Sequence, residues 1–293
     1  MRALFTLTLL LTALLGSLSA QATEVLASIR PLALIAEAVM RGSGQIDQLV
    51  PDGISSHDYS LRPSDRIHLA TAGLVFWVGP AHEAFLVKLL QASPAQQVVM
   101  QELPGMTCLH QRDADSDRPI PDSTDPHLWL SPDNAAAAAR GLARALAARE
   151  PEKATYYLHN ADNFAEEMQL AKDRLKARLA PVASHPYVAW HDAYQYLEKP
   201  LGLSYGGSLT ISHEQPPGAR HLAALTDRIR SQHSACLLAE PGFNQALAQR
   251  AFDGQPARFV PVDELFTLAP RNAQGYEAGL TQMVDGIKNC LGG

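Results

Sequence analysis

The stretch EKATYYLHNADNFAEEMQLAKDRLKARL, residues 152–179, decides how the rest of the chain is divided. Its apolar residues Ala154, Tyr157, Leu158, Ala161, Phe164, Met168, Ala171, Leu175 and Leu179 recur at helical intervals, which makes one face of an amphipathic α-helix. At the standard rise such a helix is roughly 40 Å long, enough to cross a whole domain. Pro151 ends the helical pattern before it, because the residue preceding a proline disfavours helix. A fresh series of strands and helices follows. The chain therefore reads as an α/β protein of two lobes, with mainly parallel sheets flanked by helices and one long rigid helix bridging them. The predicted division is an N-terminal lobe over 23–150, the linker helix within 151–183 and a C-terminal lobe over 184–293.

On both sides of the bridge, short apolar runs alternate with helical patterns, the signature of parallel sheets. Upstream, strands are expected at 24–29, 48–50, 74–78 and 97–100, with helices at 32–40, from Pro63 to about 72, at 82–90 and at 132–148. Downstream, strands are expected at 187–190, 203–209, 236–239 and 258–262, and the last helix at 274–290. Residues 105–124 hold Asp113, Asp115, Asp117 and Asp122 among prolines and serines without periodicity, so they read as a mobile exposed loop.

Residues 1–22 read as a secretory signal: Arg2 is the positive end, Leu4 to Leu15 the apolar run, and Ala20-Gln21-Ala22 the small-residue cleavage site. No later stretch approaches the roughly 20 apolar residues of a membrane helix, so an exported soluble protein is expected. Loss of Arg2 takes the formal charge from −6 to −7, which argues against a nucleic-acid partner and favours cationic ligands. In an oxidising compartment, three cysteines imply one bridge and one leftover. Cys236 opens an apolar strand and Cys290 closes the last helix, so those two are paired and Cys108 is left free.

In open α/β sheets ligands bind beyond the carboxyl ends of strands, and His57, His191 and Asp263 fall in such places. His127 lies in Asp125-Pro126-His127-Leu128-Trp129-Leu130-Ser131-Pro132, stiffened by Pro126 on one side and by a helix that Ser131 caps and Pro132 opens on the other. Three imidazoles and a carboxylate suit a borderline-soft cation, zinc above all. Glu240, at a strand end before Pro241, reads as a lobe or loop anchor with a ligand role as the alternative. Asp192 reads as a helix cap, and His185 and His213 remain open.

The stretches Ser56-His57-Asp58-Tyr59-Ser60-Leu61-Arg62-Pro63-Ser64-Asp65, His127-Leu128-Trp129-Leu130-Ser131-Pro132, His191-Asp192-Ala193-Tyr194 and Ala239-Glu240-Pro241 resemble the periplasmic zinc-binding proteins of bacterial ABC uptake transporters. The resemblance implies a zinc carrier without catalytic activity, working as a monomer that hands its ion to a membrane permease. It implies His57, His127 and His191 as ligands, with a carboxylate at the position of Asp263 completing or flanking the shell, and it matches the Cys236–Cys290 pairing. Manganese-type relatives carry glutamate where His191 stands. The chain departs from the pattern in lacking a long histidine-rich loop before His127, and in having Asp263-Glu264-Leu265-Phe266 where Asp-Pro-Leu-Gly is usual. A manganese or iron carrier of the same fold is the alternative within the class. An exported zinc-dependent hydrolase, with Glu240 as general base, is the alternative outside it.

Overall fold

A computed structural model describes residues 24–54, 56–57, 59–210 and 217–292; the expected signal peptide and His213 lie outside them. Glu24–Ala27 (β1), Gln45–Gln48 (β2), Leu74–Trp77 (β3) and Gln96–Val99 (β4) form one sheet in the order β2-β1-β3-β4. Pro186–His191 (β5), Ser204–Thr210 (β6), Cys236–Ala239 (β7) and Arg258–Pro261 (β8) form a second in the order β6-β5-β7-β8. Every strand pairing is parallel. The central strands β3 and β7 are buried throughout, as expected where helices cover both faces of a sheet. In each sheet the order reverses beside its first strand, so the crevices fall at the carboxyl ends of β1 and β3 and of β5 and β7.

The helices are Arg30–Met40 (α1), Pro63–Thr71 (α2), Val87–Gln91 (α3), Pro132–Arg149 (α4), Ala154–Leu179 (α5), Gln195–Leu201 (α6), Ala219–Gln232 (α7), Gln245–Phe252 (α8) and Gly275–Leu291 (α9). Helix α5 buries Tyr157, Ala161, Phe164, Met168, Ala171, Leu175 and Leu179, the face its periodicity indicates. Leu158 is instead 40% exposed, because neighbouring positions on a helix point about 100° apart and Tyr157 takes the inward one. Asn160 donates to the carbonyl of Val39 at 2.9 Å and Lys172 pairs with Asp133 at 2.7 Å, tying α5 to the first half. Further along, Arg174 pairs with Glu277 and Arg178 with Asp285, tying it to α9. Residues from α1, α4, α5 and α9 share one continuous core that also takes in Tyr187, Tyr194 and Phe266. The two halves are joined by a common interior as well as by the helix. Gly275 permits the closest of these approaches: a Cβ there would lie 2.1 Å from the carbonyl oxygen of Pro270 and 2.6 Å from Leu34.

Several local expectations shift. The second strand lies at Gln45–Gln48, and Leu49 and Val50 only extend it, their N–H groups reaching the carbonyls of Ala27 and Ser28 at 2.9 and 3.0 Å. The helix expected at 82–90 is a turn, a short 3-10 segment at Ala84–Leu86 and α3, because the Glu83 carboxylate turns inward to serve the N–H groups of Val78 and Gly79. Asp192 caps no helix: α6 begins at Gln195, and no side chain caps it. Residues 105–124 are not loose. Arg112 and Pro119 form an antiparallel bridge, and Arg112 is tied to Asp192 and Glu198 of the second half. Local composition carried no sign of these distant partners. The Cys236–Cys290 disulfide is present, and Cys108 is free and exposed.

Phe164 sits at the middle of the shared interior, 5.6 Å edge-on from Tyr276 and 1% exposed. Phe164→Ala should cost about 3–5 kcal/mol, read as a lower midpoint in urea unfolding. An unchanged midpoint would show that α5 does not hold the halves together.

Candidate metal site

His127 is held from behind. Asp125 Oδ1 accepts from the backbone N–H of His127 at 3.1 Å and pairs with its ring Nδ1 at 2.8 Å, the bond of an aspartate to the residue two places on. Ser131 caps α4, accepting from the N–H of Asn134 at 3.2 Å, and Leu128, Trp129 and Leu130 are fully buried. The ring thus points its Nε2 outward from a fixed wall. His191, the last residue of β5, is held the same way: its Nδ1 faces Glu240 Oε1, one residue past the end of β7. The two Nε2 atoms meet 3.0 Å apart.

His57, on the loop after β2, completes the cluster, its ring centre 5.2 Å from that of His127 and 5.7 Å from that of His191. Buried His82 stands edge-on to His57 at 4.6 Å, and its Nε2 lies 3.0 Å from Ser56 Oγ. Beneath them Glu83, fully buried, binds the hydroxyl of Ser28 and the N–H of Gly79, which closes the crevice between β1 and β3. One nitrogen from each of His57, His127 and His191 falls within 4.8 Å of the others, and a second group of the same compactness joins His191, Glu240 and Glu264. Tetrahedral zinc with bonds of about 2.0–2.1 Å to nitrogen needs neighbouring donors roughly 3.3 Å apart; the His127 and His191 nitrogens, 3.0 Å apart, are close to that, and the His57 nitrogen lies within 4.8 Å of both.

Asp263 belongs to neither group. Its Oδ1 accepts from the N–H of Leu265 at 3.0 Å, and its Oδ2 accepts from the N–H and hydroxyl of Thr267, the latter at 2.6 Å, so the carboxylate is spent shaping its own turn. That turn carries Glu264, whose carbonyl accepts from the Trp129 indole at 2.8 Å. Glu264, 8% exposed, is a residue the sequence reading passed over in favour of its neighbour. Asp125 is likewise absent from the candidates the sequence offers, although its spacing of two from His127 is the available signal. His185 is bonded to the carbonyl of Leu291 and lies at the other end of the second sheet. Two hollows flank the cluster. One, of about 130 Å³, is lined by His57, Glu240, Asp263 and Glu264, and the other, of about 120 Å³, by His57, His127, His191 and Arg112.

Burial pulls the His127 pKa down, but the hydrogen bond and charge of Asp125, with the fields of Glu264 and Asp192, carry it above the ordinary histidine value. Burial also pushes the Glu83 carboxyl up to about 7, against the hydrogen bonds from Ser28, Gly79 and Val78 that oppose the shift.

Residues 25–290 match the family model for the periplasmic component A of zinc-uptake complexes. The chain is 30% identical to the high-affinity zinc uptake system protein ZnuA of Brucella abortus (strain 2308), the alignment covering 94% of each. It is 33% identical to the protein of that name from Yersinia pestis, covering 91% of each. Its fold superposes on a laminin-binding adhesin (Lmb) of Streptococcus agalactiae with a TM-score of 0.80 at 22% identity, covering 92% of this chain and 99% of the other.

With a carboxyl that titrates near 7 in the folded chain and at 4.5 when unfolded, folding takes up a proton between those values. The stability this group contributes is complete below the unfolded value and fades as pH rises through 7. Glu83→Gln should therefore gain on the parent between pH 5 and pH 8, by up to about 3 kcal/mol in urea unfolding. A stability difference that does not move with pH would show Glu83 to be charged throughout.

Proposed function

Because the chain belongs to the family of the periplasmic zinc-uptake component A, we propose that it captures Zn2+ in the cleft between its two halves and delivers it to a membrane ABC permease. The observation that carries this reading is the convergence of three imidazoles remote in sequence, two of them presenting Nε2 atoms 3.0 Å apart. His57, His127 and His191 are the ligands, and Glu264 takes the fourth position. Glu240 is the orienting partner of His191, and Asp263 holds the turn that presents Glu264. Residues 1–22 direct export to the periplasm, residues 23–150 and 184–293 act as the lobes, and 151–183 connects them. The protein works as a monomer and breaks no bond in its cargo. Three nitrogen donors favour zinc over manganese, which prefers oxygen.

Competition titration with a chromophoric chelator should find one zinc per chain. His57→Ala, His127→Ala and His191→Ala should each weaken binding by about 100-fold or more, and Glu264→Gln by about 10- to 100-fold. Asp263→Asn, which keeps an acceptor for the turn, should change it least. If Asp263→Asn loses zinc as fully as His191→Ala while Glu264→Gln binds like the parent, the carboxylate assignment is reversed. Manganese displacing zinc at equal concentration would move the chain to the manganese carriers.

Zinc competes with protons for His127, and burial together with the stronger opposing pull of Asp125 sets that competition above the ordinary histidine range. Affinity should therefore decline as pH falls from 8 to 6, approaching about tenfold per pH unit below that range. The same titration at three pH values reads it, and a flat profile would contradict the ligand role of His127.

A further inference from the structure

The segment between β4 and His127 leaves the first half and lies across the second. Its anchor is Arg112, with a side chain only 10% exposed. The guanidinium reaches Asp192 Oδ2 from Nε at 2.7 Å and Glu198 from Nη1 and Nη2 at 2.9 and 2.7 Å, and it covers the Tyr205 ring at 3.7 Å. Farther along, Asp115 pairs with Arg220 at 3.0 Å and with His221 at 3.3 Å, and Asp117 pairs with Arg228. These ties run back to the ligands. Asp192 directly follows His191. Gln195 donates to Asp125 Oδ2 at 2.9 Å, while Oδ1 of the same carboxylate orients His127. The Tyr196 hydroxyl donates to the Asp125 carbonyl at 2.9 Å and accepts from the N–H of Leu109, at the root of the strap, at 3.0 Å. Arg112 and Ile120 also line the hollow that His57, His127 and His191 share.

A reciprocal segment runs the other way. The turn after β8 is fastened to the first half through Trp129 to the Glu264 carbonyl, Arg30 to the Ala269 carbonyl, and Arg271 to the Ile46 carbonyl at 3.2 Å. Spreading the halves would break this seam and the shared core. Lifting the strap beyond Leu109, which packs against the core at its root, breaks mainly polar ties, and the outer ones include Arg220, 89% exposed.

We propose that Arg112 is a positioning residue for the metal site: it pins the 109–124 strap across the cleft, holds His191 and the Asp125–His127 pair in register, and makes the strap the part that lifts when metal exchanges. The proposal rests on the reading of the three histidines as the zinc site.

The test is the rate of zinc release from the mature protein into excess chelator, followed by stopped flow at about 50 mM and about 500 mM salt, which spans strong and weak screening. In the parent, release should quicken with salt as the outer pairs are screened. Arg112→Gln should release zinc about 10- to 100-fold faster and lose most of the salt response. Arg228→Ala cuts an outer tie and leaves the Arg112 ion pairs with Asp192 and Glu198 in place, touching that cluster only through the Tyr205 ring that both guanidiniums approach. It should release zinc about threefold faster, within the range of an exposed ion pair, and it carries the test should Arg112→Gln fail to fold. Parental release rates in Arg228→Ala and in any folded Arg112→Gln protein, whatever the melting temperatures, overturn the proposal. A parent that binds no zinc overturns the site reading beneath it, a result the parent titration alone identifies.

Discussion

Two imidazoles share one cation only if their free nitrogens face each other, and in this chain that facing is enforced from behind. Asp125 holds Nδ1 of His127 and Glu240 holds Nδ1 of His191. In the tautomers that donate Nδ1–H to those carboxylates, each Nε2 carries a lone pair, and the two lone pairs meet at 3.0 Å. Two acceptors at that distance repel unless something positive lies between them. A cation between them would relieve the conflict, which is the physical basis of the proposed metal site.

Such a conflict persists only on a frame that cannot relax. The two imidazoles come from different halves, one beside the N-terminus of α4 and one from the end of β5, so the halves must not drift. Helix α5 and the common interior prevent it, with Phe164, Tyr276 and Phe266 stacked edge to face at their junction. Each half also sends a segment across to the other, the Arg112 strap in one direction and the Glu264 turn in the opposite one. The polar ties of these segments act where the core does not reach, at the mouth of the cleft.

The parts legible in sequence were those governed by local period or by chemical type at a strand end. The α5 pattern, the strand and helix alternation, the two bridged cysteines and the positions of His57, His127 and His191 all have that character. What escaped depends on partners far along the chain. Asp113, Asp115 and Asp117 look like a solvated acidic run until Arg220 and Arg228, about a hundred residues on, are folded against two of them. The proposed preference for Glu264 over Asp263 rests instead on a local feature, one Asx turn that takes both Asp263 oxygens for Leu265 and Thr267. Neighbouring carboxylates are equivalent in sequence and are separated only by backbone direction.

A buried divalent ion needs compensating charge, and neutral imidazoles supply none. Manganese-type chemistry meets that need by placing carboxylate oxygens on the metal itself. Here much of the negative charge stands one ring away, on Asp125 and Glu240, and would reach an ion in the proposed site through the histidines they polarise. That placement neutralises the cleft without giving a hard cation the oxygen shell it prefers. Arg112 sharpens the same division, because Asp192, which would otherwise add loose anionic charge beside His191, is bound to its guanidinium together with Glu198. In the proposed site, selectivity for a nitrogen-preferring ion would follow from where the carboxylates stand more than from how many there are.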